Sequence, residues 1–286
     1  MSVLGVATGR TAHAVRRAGR GLSRAVDTLG RQVIFLIGAL LSTGRAARHH
    51  PRETLRVVSE IGLGTGVLAM VGGSVAIMGF LTLFAGATVA VQGFTSLGNI
   101  GVEALTGFLA AYVNVRVVAP VTAGVGLAAT IGAGTTAQLG AMRISEEIDA
   151  LEVMAIKSVP YLVGTRILAG LVAVVPLYSL SVLASFLASR IATVTILGQS
   201  PGVYDHYFAT FLRPTDVLWS FVQAITMAVV VMTVHSYYGY TATGGPSGVG
   251  VATGRAVRMS LIAVVTVTLL ISLVLYGSSR QLHLAG

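Results

Sequence analysis

The sequence predicts an all-α integral membrane protein with about five membrane-spanning helices. Of its 286 residues, 54% are hydrophobic and only 10% are charged, and the mean hydropathy is +0.83. A chain of this length cannot bury so much apolar surface in one soluble core. Several stretches reach the roughly 20 uncharged residues that a helix needs to cross a hydrocarbon layer. They lack the alternation of a membrane β-barrel, so helices are the expected spanning form.

The net charge of +9 comes mainly from the N-terminal region. Ten arginines precede the first long apolar stretch: Arg10, Arg16, Arg17, Arg20, Arg24, Arg31, Arg45, Arg48, Arg52 and Arg56. The positive-inside rule places this region in the cytoplasm, next to anionic lipid headgroups rather than nucleic acid. No apolar segment of a cleavable signal peptide opens the chain. We expect a basic cytoplasmic region over residues 1–60 and a membrane region over residues 61–286.

The apolar run from Gln32 to Leu41 is too short to cross a membrane unaided. It is therefore predicted to be an interfacial or re-entrant helix, and a short first span held by its neighbours remains the alternative. Longer apolar stretches predict spans at 61–92, 104–142, 161–189, 219–240 and 259–276.

Glycine and proline predict how these spans are interrupted and joined. Pro120 is expected to kink the second span, and a tight corner is expected at residues 96–99. Residues 190–216 are predicted to be an exterior segment, and the glycine-rich stretch 241–258 a cytoplasmic loop. Two pairs of small residues at a spacing of four are expected to let helices approach closely, namely Gly62 with Gly66 and Gly86 with Ala90.

Residues 143–157 hold four of the ten acidic residues and predict a short amphipathic helix in the cytoplasm. Its apolar stripe would be Ile144, Ile148, Leu151 and Ala155. Ser145 is the expected N-cap, and Lys157 suits the negative end of the helix. The acidic residues would face away from the stripe: Glu146, Glu147, Asp149 and Glu152. Anionic headgroups repel an acidic surface, so a protein partner is favoured over simple solvation.

Motifs for catalysis or cofactor binding are missing from the sequence. The only lysine, Lys157, follows Ile156 rather than a glycine, so it does not belong to a phosphate-binding loop. The chain contains no cysteine, and none of its histidines has a carboxylate at metal-ligand spacing. We therefore expect no enzymatic activity, no cofactor and no metal.

The stretch from Pro120 to Arg166 is similar to the signature of the MlaE/YrbE permease family. The residues that carry the resemblance are Pro120, Gly132, Ala137, Gly140, Met142, Glu146, Glu147, Asp149, Ala150, Leu151, Glu152, Met154, Leu162, Val163 and Arg166. A second similar region begins at Gly239 and Tyr240 and continues through Gly248 to Arg258.

The resemblance implies the membrane subunit of an ATP-driven transporter of phospholipids, fatty acids or sterols. Its expected partners are an ABC ATPase dimer, a second YrbE-type permease chain and MCE-domain lipid carriers, in a bacterial plasma membrane. The arginine-rich composition favours an actinobacterial Mce importer. The residues expected to couple to the ATPase are Glu146, Glu147, Asp149, Glu152 and Arg166.

Four polar residues near the spans are candidates for the rim of a lipid pathway: Gln92, Glu103, Asn114 and Arg116. Hydrogen bonding between helices is an equally good explanation for them. Two other functions remain open for the whole chain. An ion-coupled secondary transporter is disfavoured because the spans contain almost no carboxylates, and a non-transporting membrane scaffold is compatible with the composition.

Overall fold

A computed structural model describes residues 30, 34, 35, 37–39, 41–44, 48, 51–63 and 67–276. These residues are almost entirely helical and include no β-strand. Five of the helical segments are long and apolar enough to cross a membrane. The predicted fold class, an all-α integral membrane protein, is confirmed.

In chain order the α-helices are α1 (Pro51–Leu63), α2 (Val67–Gly98), α3 (Thr106–Val113), α4 (Ala119–Leu127), α5 (Ala133–Ile144), α6 (Glu147–Val153), α7 (Thr165–Ile191), α8 (Pro201–Phe211), α9 (Pro214–Tyr240) and α10 (Gly245–Tyr276). A 3₁₀ turn at Glu103–Leu105 precedes α3. The candidate spans are Met78–Gly98, Glu103–Ile144, Val159–Ile196, Pro214–Tyr240 and Gly245–Val274.

The first span lies further along the chain than predicted. α1 ends at Leu63, and α2 continues into the expected corner at 96–99, as far as Gly98. The chain reverses at Gly101, whose φ of +73° is readily adopted only by glycine. Apolar residues such as Phe94 and Leu97 extend the helix up to this turn.

The predicted loop over 241–258 is wrong, because α10 already begins at Gly245. The reversal is confined to a short turn in which Gly244 and Gly245 have φ of +90° and +69°. The small residues beyond this turn serve helix packing instead. Ala252 and Ala256 are buried, and Val249 lies against Gly140 of α5. Glycine and alanine are common at such contacts in membrane helices, so their abundance does not by itself indicate a loop.

Four π-helical turns interrupt the second and third spans: Asn114–Val118, Ala128–Gly132, Val159–Gly164 and Ala192–Ile196. Pro120 follows the first of them at the start of α4. Proline has no N–H to donate to the preceding turn, and a wider π turn accommodates that loss. The irregularity predicted at Pro120 is therefore present. The third span and its π turn reach Ile196, and α8 fills part of the predicted exterior segment 190–216.

The core forms where α9 packs against α5, α7 and α10. Leu127, Ile167, Met227 and Met232 are fully buried there. α2 lies along α7, and a Cβ on Gly86 would approach the backbone oxygen of Ser185 to 2.6 Å. Ala90 is also fully buried, so the predicted close approach at Gly86 and Ala90 is confirmed. The other pair, Gly62 and Gly66, lies outside the residues whose surroundings the structure describes.

The bundle has two ends with different elements. At one end, here called the α6 end, lie α6, the C-terminal ends of α5 and α9, and the start of α10. The described residues between 34 and 44 are helical, and Phe35 contacts Tyr237 and Tyr240 at this same end. The rest of the predicted interfacial helix lies outside the described residues. At the opposite end, the α8 end, α8 packs on α3.

Candidate functional site

The acidic segment forms a separate seven-residue helix rather than the single helix predicted over 143–157. α5 ends at Ile144, and α6 covers Glu147–Val153. The residues flanking α6, Glu146 and Ala155, each have φ of +61°, and they are the only non-glycine residues in the described part of the chain with positive φ. Non-glycine residues in this region carry backbone strain that the surrounding structure must hold.

The ends of α6 are fixed by backbone bonds and not by the predicted caps. Ser145 donates to the carbonyl of Ala141 at 3.0 Å and to Glu147 Oε1 at 2.9 Å, and no side-chain hydrogen bond caps α6. At the C-terminal end the amides of Ala155 and Ile156 donate to the carbonyls of Glu152 and Leu151, each at 3.0 Å. This is a Schellman motif with alanine where glycine is usual. Lys157 lies beyond it, so it does not cap the helix.

The turn at Glu146 is needed to bury one side of α6. Ile148 is fully buried and packs with Leu139 and Leu162, with Leu151 partly buried beside them. A straight continuation of α5 would carry Ile148 away from this cluster. Ile144 and Ala155, the other two residues of the predicted stripe, are exposed. Only the central part of the stripe therefore faces the bundle.

The outward side of α6 combines carboxylates with apolar side chains. Glu146, Glu147 and Asp149 are exposed, and Asp149 accepts a hydrogen bond from Arg143 at 2.6 Å. Val153 and Met154 are 87% and 62% exposed at the C-terminal tip. Neither residue is predicted from the sequence as a partner contact, although Met154 is among the residues that carry the family resemblance. The available signal was that they are apolar but lie off the stripe of Ile148 and Leu151.

Glu152 is exposed as well, but its hydrogen bonds distinguish it from the other three carboxylates. Its Oε1 accepts a hydrogen bond from Ser158 Oγ at 2.6 Å and from the hydroxyl of Tyr240 at 3.3 Å. The hydroxyls of Ser158 and Tyr240 are themselves 2.9 Å apart. The carboxylate thus joins α6 to the start of the third span and to the last residue of α9.

Arg166 lies behind α6, where it is buried. Its guanidinium donates to the carbonyl of Leu162 at 3.1 Å and lies 3.8 Å from the sulfur of Met142. It also acts on Glu53 of α1, outside the spans. A hydrogen bond from Arg56 lowers the pKa of Glu53 below its ordinary value. Partial burial of Glu53 opposes this shift, whereas the charge of Arg166 adds to it. Arg166 therefore connects the third span to Met142 of α5 and does not lie on the outward side of α6.

The four lipid-pathway candidates have different surroundings. Gln92 and Glu103 are exposed toward the α8 end. Asn114 is fully buried and donates to Ser189 Oγ at 2.7 Å. Arg116 donates to Asp216 at 3.0 Å, and its guanidinium carbon lies 3.9 Å from the centre of the Tyr112 ring. Asn114 and Arg116 thus connect the second span to the third and fourth spans.

A cavity of about 580 Å³ lies beside α6. Gly38 and Ser42 of the N-terminal helical segment line one part of it. Glu152, Lys157 and Ser158 line another. The cavity therefore separates the N-terminal segment from the junction that Glu152 makes.

Comparisons with known proteins agree with this architecture. A probable ABC transporter permease protein of Synechocystis is 25% identical over 80% of this chain and 86% of its own length. The Arabidopsis chloroplast protein TRIGALACTOSYLDIACYLGLYCEROL 1 is 24% identical over 82% of this chain and 65% of its own length. The intermembrane phospholipid transport system permease protein MlaE of Haemophilus influenzae is 24% identical over 87% of this chain and 92% of its own length.

The family described as Permease MlaE matches residues 64–274, which include all five candidate spans and α6. This match covers well over half of the chain, and therefore the chain belongs to the MlaE family of membrane permeases.

Proposed function

We propose that this chain is the membrane subunit of an ATP-driven lipid transporter and that α6 is its contact with a separate ABC ATPase. The observation that carries the proposal is the outward side of α6. It presents Glu146, Glu147 and Asp149 next to the exposed tip of Val153 and Met154. Large apolar side chains exposed outside the membrane spans are typical of a protein contact.

The charge at the α6 end supports a cytoplasmic location, where an ATPase has access to ATP. Basic residues at this end include Arg143, Lys157, Arg255 and Arg258, and the sequence carries ten further arginines before the first span. By the positive-inside rule such an end lies in the cytoplasm. The carboxylates on α6 would then meet a partner with a basic groove, since anionic headgroups repel them.

The names of two relatives support the transporter class. Those from Synechocystis and Haemophilus are named as permease proteins, and the name of the second refers to phospholipid transport. We infer that lipids are the substrate class, with phospholipids, fatty acids or sterols as the candidates. ATP hydrolysis is assigned to the partner and not to this chain.

The further partners that we propose are a second YrbE-type permease chain and MCE-domain proteins, in a bacterial plasma membrane. Within the described part of the chain two spans have little cover: in the most apolar 18-residue stretches of Met78–Gly98 and Gly245–Val274, 22% and 11% of the residues are buried. Their exposed apolar faces leave room for a second permease chain as well as for lipid. We also propose that Gln92 and Glu103 lie near the mouth of a lipid path at the α8 end.

A charge-reversal experiment tests the assignment of α6. The variant Glu146→Lys, Glu147→Lys, Asp149→Lys should retain membrane insertion but copurify at least about tenfold less ABC ATPase, because close complementary charges contribute kcal-scale coupling. The ATPase is identified by mass spectrometry of the purified complex and by its ATP hydrolysis. Asp205→Lys, a half-exposed carboxylate of α8 with no proposed role in the lipid path, is the control. Normal ATPase recovery with the triple variant would refute the assignment.

The same purification separates the alternatives. Ion-gradient-driven uptake by the isolated chain in vesicles would indicate a secondary transporter. A stable complex with neither ATP hydrolysis nor lipid movement would indicate a scaffold.

A further inference from the structure

We propose that Glu152 is a positioning residue that fastens α6 to α9, so that movement of α6 reaches the spans. This inference rests on the proposed function and divides the acidic residues of α6 into two classes. Glu146, Glu147 and Asp149 bind the ATPase, whereas Glu152 transmits its motion. Sequence reasoning had placed all four in one docking surface.

The hydrogen bonds of Glu152 are the first argument. Its Oε1 accepts from Ser158 and from Tyr240, so that atom faces the bundle. Ser158 is 3% exposed, which shields that part of the junction from water. Hydrogen bonds to a charged group are stronger than those between neutral groups, particularly when water is excluded. Although Glu152 as a residue is exposed, the oxygen that makes both bonds is already engaged within the chain.

The position of Tyr240 is the second argument. It is the last residue of α9, the helix at the centre of the bundle. Its ring also lies 5.9 Å from that of Phe35 in the N-terminal helical segment. A displacement of α6 that pulls on Tyr240 would therefore act both on α9 and on the N-terminal segment.

The backbone around α6 is the third argument. The positive φ at Glu146 and at Ala155 places a strained residue at each end of the helix. α6 is not continuous with α5 before it or with the third span after it. It can therefore tilt as a unit. The cavity beside Glu152 provides space on the side of Gly38 and Ser42. The Glu152 junction then determines how much of the tilt reaches α9.

Binding and transmission are separated by two single variants on the same helix. Glu147→Ala should weaken recovery of the ATPase. Glu152→Ala should leave recovery within about twofold of the unmodified chain but lower lipid movement per ATP hydrolysed by about tenfold, because a charge-assisted junction is lost. The probe is a fluorescent phosphatidylethanolamine in vesicles of phosphatidylethanolamine and phosphatidylglycerol. Glu152→Gln should retain most of the lipid movement per ATP hydrolysed, because its amide oxygen can still accept hydrogen bonds from both hydroxyls.

A distance measurement gives a readout that does not depend on the choice of lipid. The chain contains no cysteine, so spin labels can be attached at Val153→Cys and Thr241→Cys, both at exposed positions. In the full chain in lipid nanodiscs, the distance distribution between the labels should broaden with Glu152→Ala and with Tyr240→Phe. Tyr238→Phe, two residues earlier in α9, is the matched control and should leave it unchanged.

The outcomes separate this inference from the proposed function. If Glu152→Ala loses the ATPase as completely as the triple lysine variant does, Glu152 is a docking residue and the inference is wrong. If the distances and the lipid movement per ATP both stay at the unmodified values, the inference is also wrong. If the unmodified chain recovers no ATPase at all, the proposed function itself fails, whatever the spin labels report.

Discussion

The two ends of the bundle are held together by different interactions. At the α8 end, ion pairs connect separate elements: Arg116 with Asp216, and Arg190 with Asp205. The backbone of α8 also lies directly against Gly107 of α3. At the α6 end, Arg143 pairs with Asp149, but the carboxylates of Glu146 and Glu147 form no ion pair within the part of the chain that the structure describes.

The difference indicates which end is prepared for a partner. At the α8 end Asp205 and Asp216 have cations of the same chain beside them, which connects neighbouring elements, whereas Glu103 is exposed. Acidic groups at the α6 end are mostly left exposed on a short helix flanked by two strained residues. Unpaired charges next to exposed apolar side chains contribute little to the isolated chain but are available for binding. We expect the α8 end to be rigid and the α6 end to be adaptable.

The largest expected effect is at the contact between α3 and α8. A Cβ on Gly107 would meet the carbonyl oxygen of Tyr204, and backbone atoms cannot move aside independently of their helix. Gly107→Ala should lower the free energy of unfolding by about 3 kcal/mol. Thermal unfolding in detergent micelles measures this loss of stability. Gly202→Ala is the control, because a Cβ at this position of α8 would meet no atom within 4 Å.

The comparable substitution at the α6 end should cost less. A Cβ on Gly140 would lie 2.8 Å from Cγ1 of Val249, and this valine side chain can rotate away. Equal losses of stability for Gly140→Ala and Gly107→Ala would contradict the proposed difference in rigidity.

An intermediate effect is expected from the pair of Arg116 and Asp216, whose side chains are 17% and 18% exposed. Asp216→Ala should lower stability by about 2 kcal/mol, as expected for a partly buried charged hydrogen bond. Arg116→Ala should cost more because it also removes the contact with Tyr112. A double-mutant cycle measures the coupling. If the two losses simply add, the pair does not fasten the second span to α9.

The smallest effect is expected from Arg190 and Asp205, which are both half exposed. The hydrogen bond from Arg190 lowers the pKa of Asp205, so the ionised carboxylate is favoured in the folded state. This stabilisation is present above the pKa of the unfolded chain and is lost as the pH falls through the folded value, from about pH 5 downward.

The pH dependence of thermal unfolding in the unmodified chain and in Asp205→Asn checks this pair. The two proteins should differ slightly near neutral pH and converge in acid, and added salt should reduce the difference. A difference that persists at the lowest pH would mean that the charge of Asp205 is not responsible.

The sequence predicted the number of spans and most of their positions correctly, because long uncharged stretches need lipid around them wherever they pack. The prediction from sequence failed where glycine can serve either in a turn or in close helix packing. The stretch after Tyr240 was interpreted as a loop, yet only Gly244 and Gly245 turn the chain, and the later small residues pack in α10. Composition alone does not separate a glycine needed for its φ from one needed for its small size.

The acidic segment shows the same limit at the candidate site. Helical periodicity predicted a stripe of Ile144, Ile148, Leu151 and Ala155, of which Ile148 is buried and Leu151 partly buried, while Ile144 and Ala155 are exposed. It could not predict the break at Glu146, since a non-glycine residue with positive φ is chosen by the packing around it. Nor could it separate Glu152 from Glu147, because the hydroxyl of Tyr240 is 88 residues away in the chain.

The sequence by itself determined that this protein lies in a membrane, that its spans are helical and that one acidic segment lies between two of them. These properties follow from local composition, because a segment surrounded by lipid must be apolar and must satisfy its backbone hydrogen bonds internally. Only the tertiary structure decided which of the exposed carboxylates joins α6 to α9. That choice depends on groups brought together from distant parts of the chain, and no local pattern records their distances.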